Sequence, residues 1–206
     1  SKSGFKFGAV VMVKTIEFYT NIQQALDFVD VGVVNRVVKH WREKYQSQFP
    51  SLVPRWRTSR IFIIGNGGSC AISEHISTDL NKRCKVEART LSNNSLATCL
   101  SNDYGYENAF TQWLMMNEFN KEDFLVAISS SGKSPNILNA IHHAQDCLAP
   151  VFAIFGMNGN TDFLTDFLDW DDLRNYFIHI DSHNYGVIEL TSEIILHSIV
   201  EELVIE

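Results

Sequence analysis

The fold is decided by the stretch IFIIGNGGS, which occupies residues 61–69. Four consecutive apolar residues predict a strand that is buried on both faces, and a helical pattern begins directly after the glycines. At such a junction, free backbone N–H groups and the helix dipole create a site for an anion. The glycines let the backbone approach the ligand without an intervening Cβ. For this loop taken alone, a plain strand–helix turn is the alternative interpretation.

A second loop of the same kind, SSSGKS at residues 129–134, follows the apolar run FLVAI. Its hydroxyls supply several donors to a phosphate, and Pro135 suits the first position of a helix. Ligands of parallel sheets bind outside the carboxyl ends of the strands, which is where both loops are predicted. Two common nucleotide motifs are excluded: Cys70 replaces the third glycine of the dinucleotide fingerprint, and Ala127 replaces the first glycine of the P-loop.

Around the two loops, short apolar runs alternate with helical patterns, which is typical of a parallel sheet with crossover helices. We predict a three-layer α/β sandwich with a mostly parallel five-stranded sheet. Strands are predicted at residues 60–64, 86–91, 123–128, 150–155 and 176–180. Helices are predicted at residues 71–80, 106–119, 135–147 and 187–204.

The N-terminal part has a different hydrophobic pattern, because apolar residues recur at helical spacing over residues 13–48. This pattern predicts two helices with a break near Asp30–Gly32. Residues 1–11 have the look of an expression leader before Met12, so we assign one domain to residues 12–206. Its helical extension covers residues 12–49, and a linker at residues 49–54 follows.

Composition narrows the class of protein. The net charge is −7 and no stripe of Lys and Arg stands out, which argues against a nucleic-acid partner. No apolar run approaches the roughly 18 residues that a membrane span needs, so no membrane partner is expected. The four cysteines form no C-x-x-C pair, which is typical of reduced thiols and favours a cytoplasmic location.

Taken together, GNGGS, the segment NDYGYE at residues 102–107 and SSSGKS resemble the sugar isomerase (SIS) domain, specifically the phosphoheptose isomerase group. The resemblance covers roughly Met12 to Ile205 and implies a flavodoxin-like sheet order. It also implies aldose–ketose isomerisation of a sugar phosphate, such as sedoheptulose 7-phosphate or a related heptose phosphate, through an enediol. A homotetramer with active sites at subunit interfaces is implied as well. The implied substrate contacts are Asn66, Gly67, Gly68, Ser69, Asn102, Asp103, Ser129, Ser130, Ser131 and Ser134.

The family's catalytic positions carry over with two changes. Its H-x-x-x-E helix corresponds to His75 and Asp79, and its final helix, which presents Gln and a later His, corresponds to Glu189 and His197. Isomerisation needs a carboxylate-type base and a group that protonates or polarises the sugar oxygen. Asp79, Glu189 and His197 are therefore the predicted catalytic residues. A surface contact between His75 and Asp79, and a structural role for His197, are the alternatives.

No cofactor is required by this chemistry, but the resemblance leaves zinc open. The ligands would be His75, Asp79, Glu189 and His197, whose nitrogen and oxygen atoms suit zinc. A non-catalytic SIS-domain protein, binding a sugar phosphate or a protein partner such as a replication initiator, is the competing hypothesis. Retention of both histidines and both carboxylates favours an enzyme.

Overall fold

The computed structural model describes residues 3–46, 59–157 and 175–204. Within these ranges, five strands form one sheet in the order β2-β1-β3-β4-β5. Every neighbouring pair of strands is parallel, so the predicted parallel sheet is confirmed. The strands are β1 (Ile61–Gly65), β2 (Ala88–Arg89), β3 (Phe124–Ser129), β4 (Val151–Gly156) and β5 (Tyr176–Ile180).

Seven α-helices lie in the same ranges, and a π-helical turn at Arg42–Gln46 extends the second of them. None of the described helices combines the length and apolar character that crossing a bilayer requires. The helices are α1 (Ser3–Asp27), α2 (Val31–Trp41), α3 (Gly68–Lys82), α4 (Asn94–Tyr104), α5 (Ala109–Met116), α6 (Pro135–Asp146) and α7 (Tyr185–Leu203).

The helices cover both faces of the sheet and create two cores. Helices α1, α2, α3 and α7 pack on one face, and α4, α5 and α6 pack on the other. Successive residues of β1 alternate between the cores: Ile61 and Ile63 enter the first, while Phe62 and Ile64 enter the second. Burial on both faces explains why the central strands read as continuous apolar runs. The predicted three-layer sandwich is confirmed.

The order of the strands reverses between β1 and β3, which opens a crevice at their carboxyl ends. A buried ion pair fixes the opposite ends of these two strands. Asp123, only 1% exposed, accepts hydrogen bonds from the backbone N–H of Arg60 at 3.0 Å and from its Nη2 at 2.7 Å. The two loops that follow β1 and β3 therefore start from strands held in one register.

Several predicted boundaries need correction. The strand expected at residues 86–91 is reduced to two residues, and the helix expected at residues 106–119 begins as a 3₁₀ turn and becomes α-helical only at Ala109. Helix α4 was not predicted, although Asn93 caps it by accepting a hydrogen bond from the N–H of Leu96 at 3.0 Å.

The expected break is present but slightly earlier than Asp30–Gly32: α1 ends at Asp27 and α2 begins at Val31. Asp30 caps α2 by accepting from the N–H of Gly32 at 2.8 Å. The boundary between a leader and the domain stays a prediction, and residues 11 and 12 lie within the continuous helix α1. The predicted linker at residues 49–54 lies outside the described residues.

Candidate active site

The two predicted loops meet at one cavity of about 280 Å³ at the carboxyl edge of β1 and β3. Every loop residue expected to contact substrate lines it, together with Tyr185 and Glu189 from the first turns of α7. None of the described lining residues is Lys or Arg, so hydroxyls, backbone N–H groups and helix ends supply the positive potential. The lining residues are Asn66, Gly67, Gly68, Ser69, Ile128, Ser129, Ser130, Ser131, Ser134, Tyr185 and Glu189.

The first loop presents the N-terminus of α3 to this cavity. Gly67 is the N-cap, with φ of 56°, a left-handed conformation that glycine adopts without a Cβ penalty. The N–H of Ser69 donates to the carbonyl of Asn66, and the N–H of Cys70 donates to that of Gly67, both at 3.0 Å. Among the described residues, no acceptor is paired with the N–H groups of Gly67 and Gly68. These donors and the helix dipole form an anion site.

The second loop is folded by its own hydroxyls. The Oγ of Ser129 accepts from the N–H of Gly132 at 3.2 Å, and Gly132 has φ of 63°. Ser134 occupies the N-cap of α6 but its side chain makes no capping bond, and Pro135 follows it. Its hydroxyl lies 3.4 Å from that of Ser129 and lines the cavity instead. The start of α6 therefore contributes the hydroxyl of Ser134 and the helix dipole to the cavity, since Pro135 carries no N–H and the N–H of Ile137 is already bonded to Oδ1 of Asn136.

Glu189 brings a carboxylate into this donor-rich cavity. The side chain lies so close to the Cα of Gly68 that a Cβ at position 68 would be 2.5 Å from each carboxylate oxygen. Such a distance is a steric overlap. Helices α3 and α7 can approach each other at this level because residue 68 is glycine.

A second group of predicted residues lies further along α3 and α7. The ligand atoms of His75, Asp79 and His197 all fall within 4.8 Å of one another. The Oδ2 of Asp79 is 3.9 Å from Nε2 of His75 and 3.9 Å from Nδ1 of His197, and the two rings lie 5.0 Å apart. The Asp79 side chain is 17% exposed, against 52% for His75 and 34% for His197. We call these three residues the His–Asp–His cluster.

Glu189 is not part of this cluster. It precedes His197 by eight residues, which is about 12 Å along a helix axis. The structure therefore brings together three of the four residues predicted as zinc ligands and places the fourth, Glu189, in the loop cavity.

The cluster has the chemistry of a three-ligand zinc site. Ligands of a tetrahedral zinc ion bound at about 2.0–2.1 Å lie roughly 3.4 Å apart, so the 3.9 Å separations need only small side-chain rotations. Arg83 would compete with a metal ion for Asp79, because its Nη1 already lies 3.4 Å from the same Asp79 oxygen. Its Nη2 also pairs with Glu201 at 2.7 Å.

Asn102 and Asp103, the remaining predicted contacts, lie on the last turn of α4 and are exposed. The Nδ2 of Asn102 donates to Oδ1 of Asp103 at 2.9 Å, and the thiol of Cys99 donates to its Oδ2 at 3.4 Å. Neither residue lines the described cavity.

The sequence argument missed three residues at the site. Tyr185 lines the cavity and is 58% exposed, while Tyr106 and Asn136 are hydrogen-bonded to Asn66. The positions of Tyr106 and Asn136, within NDYGYE and just after SSSGKSP, were the available signals. Nothing in the pattern around Tyr185 distinguished it from a surface aromatic residue.

This fold and these loops define an α/β domain with a two-loop anion site, and comparison with known proteins identifies its family. The family model of the SIS domain matches residues 56–156. A phosphoheptose isomerase of Campylobacter jejuni is 30% identical over 147 residues, which cover 62% of this chain and 78% of that protein. The chain therefore belongs to the phosphoheptose isomerase family of SIS-domain proteins.

Two further comparisons define the extent of the likeness. A phosphoheptose isomerase of Helicobacter pylori is 39% identical over 106 residues, which are 48% of this chain and 55% of the relative. The match thus spans about half the length of that relative. The structure of phosphoheptose isomerase from Neisseria gonorrhoeae superposes with a TM-score of 0.80 at 20% identity, covering 96% of this chain and 98% of that one. The fold is shared over almost the whole chain.

Proposed function

We propose that this chain catalyses the aldose–ketose isomerisation of a sugar phosphate, with sedoheptulose 7-phosphate or a related heptose phosphate as substrate. One observation carries the proposal: two anion-binding loops and the Glu189 carboxylate share one cavity, and the His–Asp–His cluster lies on the same two helices. Relatives named phosphoheptose isomerase support the choice of substrate.

The phosphate group would bind between the two loops. The N–H groups of Gly67 and Gly68 and the hydroxyls of Ser129, Ser131 and Ser134 would donate to its oxygens. Each hydrogen bond to a charged oxygen contributes about 1.5–3 kcal/mol, and its strength does not require a metal or a lysine. Replacing Ser129 and Ser131 with alanine should weaken sugar-phosphate binding by about that amount per lost bond, as measured by calorimetry.

The distance between the two sites fits a long sugar. Helices α3 and α7 run in parallel, because Gly68 meets Glu189 at one level and His75 meets His197 further along. Seven or eight residues of helix separate these levels, which is about 11–12 Å. An extended chain covers about 3.8 Å per three bonds, so the seven bonds from phosphorus to the second carbon of a heptose phosphate reach about 9 Å. With its phosphate in the loops, the carbonyl end of such a sugar would approach the cluster.

The reaction moves one proton between neighbouring carbons. A carboxylate removes the proton from the carbon next to the carbonyl, the carbonyl oxygen gains a proton, and an enediol forms. Return of the carbon-bound proton to the adjacent carbon, with loss of the other hydroxyl proton, gives the isomer without net oxidation. We assign the carbon-bound proton to Asp79, the oxygen-bound proton to His197, and the positioning of the sugar hydroxyls to Glu189.

Zinc is an alternative to the proton transfers assigned to Asp79 and His197, because a lone pair that binds a metal cannot also accept a proton. His75, Asp79 and His197 would hold it, and a bound zinc ion would polarise the sugar carbonyl as a Lewis acid. Loading the purified protein with zinc and titrating it against a chromogenic chelator measures the affinity directly. A His75→Ala variant should lose that affinity, whereas unchanged binding would assign the metal to other residues.

The enzyme proposal is tested by turnover on a panel of ketose and aldose phosphates. Asp79→Asn, Glu189→Gln and His197→Ala should each lower the rate, by about 10²–10⁴ for a group that transfers a proton. The matched control is Glu74→Gln, an exposed carboxylate on α3 that should keep the wild-type rate. Thermal melts of each variant separate catalytic from folding defects. Phosphate binding without turnover of any sugar would favour the non-catalytic alternative.

We also propose that the chain acts in the cytoplasm as a homotetramer. Helices α1 and α2 and the turn between them support the assembly because they expose large apolar side chains: Ile16, Tyr19, Phe28 and Val31 are 57–79% exposed. Clusters of large exposed apolar side chains are typical of interfaces between proteins. Sedimentation at micromolar concentration tests the assembly, and a monomer at that concentration would contradict it.

A further inference from the structure

Asn66 does not offer its side chain freely to the cavity. Its Nδ2 donates to Oδ1 of Asn136 and its Oδ1 accepts from Nδ2 of Asn136, both at 2.9 Å, so the two amides form a reciprocal pair. The hydroxyl of Tyr106 donates to the same Asn66 oxygen at 2.8 Å. Both lone pairs of that oxygen and one of the two amide protons are therefore occupied.

These three residues come from three separate connections. Asn66 follows β1, Asn136 is the second residue of α6 after the β3 loop, and Tyr106 opens the 3₁₀ turn after α4. The amide pair therefore bridges the crevice where the strand order reverses, and it links the first loop to the start of α6. A further bond, from Nδ2 of Asn139 to the carbonyl of Glu107 at 2.9 Å, holds the turn of Tyr106 against α6.

The hydrogen bonds of Asn136, the buried member of the pair, require an amide side chain at this position. Asn136 is 1% exposed, and its Oδ1 also accepts from the N–H of Ile137 at 3.0 Å. A buried amide needs partners for both its oxygen and its nitrogen, because a buried polar group without a hydrogen bond is destabilising. A carboxylate at this position would set an oxygen against the oxygen of Asn66, and glutamine would be one methylene too long. Asparagine alone donates and accepts at this distance.

We propose that Asn136 and Tyr106 are positioning residues that hold Asn66, and with it the N–H groups of Gly67 and Gly68, at the spacing an anion needs. The inference deepens the proposed function, because the anion would be the phosphate of the sugar. It assigns the side chain of Asn66 to the junction between the loops rather than to the sugar hydroxyls.

The test measures sulfate binding, which does not depend on catalysis. Tyr106→Phe removes one hydroxyl from an exposed side chain and should weaken sulfate binding about three- to tenfold, with a wild-type melting temperature. Tyr104→Phe is the matched control, since Tyr104 is comparably exposed, at 52% against 59% for Tyr106, and contributes no side-chain bond to the loops in the described structure. With a sugar phosphate that the wild-type protein isomerises, Tyr106→Phe should raise KM and leave kcat unchanged.

Asn136→Asp gives a second, independent readout. At pH 8 the introduced carboxylate repels Asn66, and sulfate binding should fall at least tenfold relative to wild type at the same pH. At about pH 5 the buried carboxyl of the Asn136→Asp variant is protonated. The resulting carboxylic acid can donate and accept a hydrogen bond, as the amide of Asn136 does in the wild-type protein. The ratio to wild type should then return to within about threefold, which a purely structural defect would not do.

The outcomes separate this inference from the proposed function. Wild-type sulfate affinity in both Tyr106→Phe and Asn136→Asp at pH 8 would overturn it, whatever the protein catalyses. Weakened sulfate binding in Tyr106→Phe and acid recovery in Asn136→Asp would support it even if no sugar phosphate is isomerised. If Asn136→Asp fails to fold, Tyr106→Phe against Tyr104→Phe decides alone.

Discussion

Replacement of Gly68 by alanine is the most discriminating perturbation of the cavity. Gly68 is the first residue of α3, and a Cβ there would lie 2.5 Å from each carboxylate oxygen of Glu189. The obstacle is the far end of a flexible side chain, so the carboxylate moves rather than the backbone. A normal contact between carbon and oxygen needs roughly 3.4 Å, so we expect a displacement of about 1 Å.

The consequences for stability and activity differ in sign. Alanine is favoured over glycine inside a helix by about 0.5–1 kcal/mol, so the melting temperature should be unchanged or slightly raised. A misplacement of about 1 Å in a site that orients its substrate costs on the order of 10² in rate. Gly68→Ala is therefore expected to be a stable protein with turnover reduced by about that factor.

Gly67→Ala is the matched control. No atom lies within 4 Å of a Cβ at position 67, but its φ of 56° is unfavourable for alanine. This variant should lose about 1–2 kcal/mol of stability and leave Glu189 in place. Adding Glu189→Ala to Gly68→Ala should lower turnover little further, because the carboxylate is already displaced. Wild-type turnover in Gly68→Ala would refute the claim that the position of Glu189 matters.

Two further predictions concern the scaffold. Asp123→Asn should lower the free energy of unfolding by about 3–5 kcal/mol in urea titrations, because it breaks a buried ion pair, whereas the exposed Glu122→Gln should change it by less than about 1 kcal/mol. Burial lowers the pKa of His40 from its ordinary value. As the pH falls, the unfolded chain therefore binds a proton at His40 before the folded chain does. The contribution of neutral His40 to the free energy of unfolding is present above about pH 6.5 and is lost as the pH falls below it. A His40→Phe variant should flatten the decline in unfolding free energy between pH 7 and pH 5, and an unchanged slope would assign the decline to other groups.

Much of the fold was predictable because buried parallel strands leave an unambiguous pattern. The runs at residues 61–64 and 124–128 have no polar interruption, and each ends in a glycine- and serine-rich loop. Strand β2 was less accurate because two residues at the edge of a sheet carry little hydrophobic signal. Helix α4 was missed because its sequence, NSLATCLSNDY, is mostly polar and buries only Leu100.

The candidate site was predictable to the extent that it consists of consecutive residues. The loop residues share one cavity because adjacent strands must end at the same edge of the sheet. The separation of Glu189 from His197 followed from helix geometry. The pairing of Asn66 with Asn136 depends on how two loops, 70 residues apart, are oriented across the crevice. No periodicity encodes that orientation, and the same holds for the contact of Arg83 with Asp79.

The central claim is that this protein moves a proton between neighbouring carbons of a sugar phosphate, and exchange in deuterated water measures that step directly. Sedoheptulose 7-phosphate should be incubated with the wild-type protein and with an Asp79→Asn, Glu189→Gln double variant, and carbon-bound deuterium read by NMR. We predict incorporation next to the carbonyl carbon with the wild-type protein and none above background with the variant. Equal incorporation by both proteins, or none with any sugar phosphate on the panel, would contradict the account.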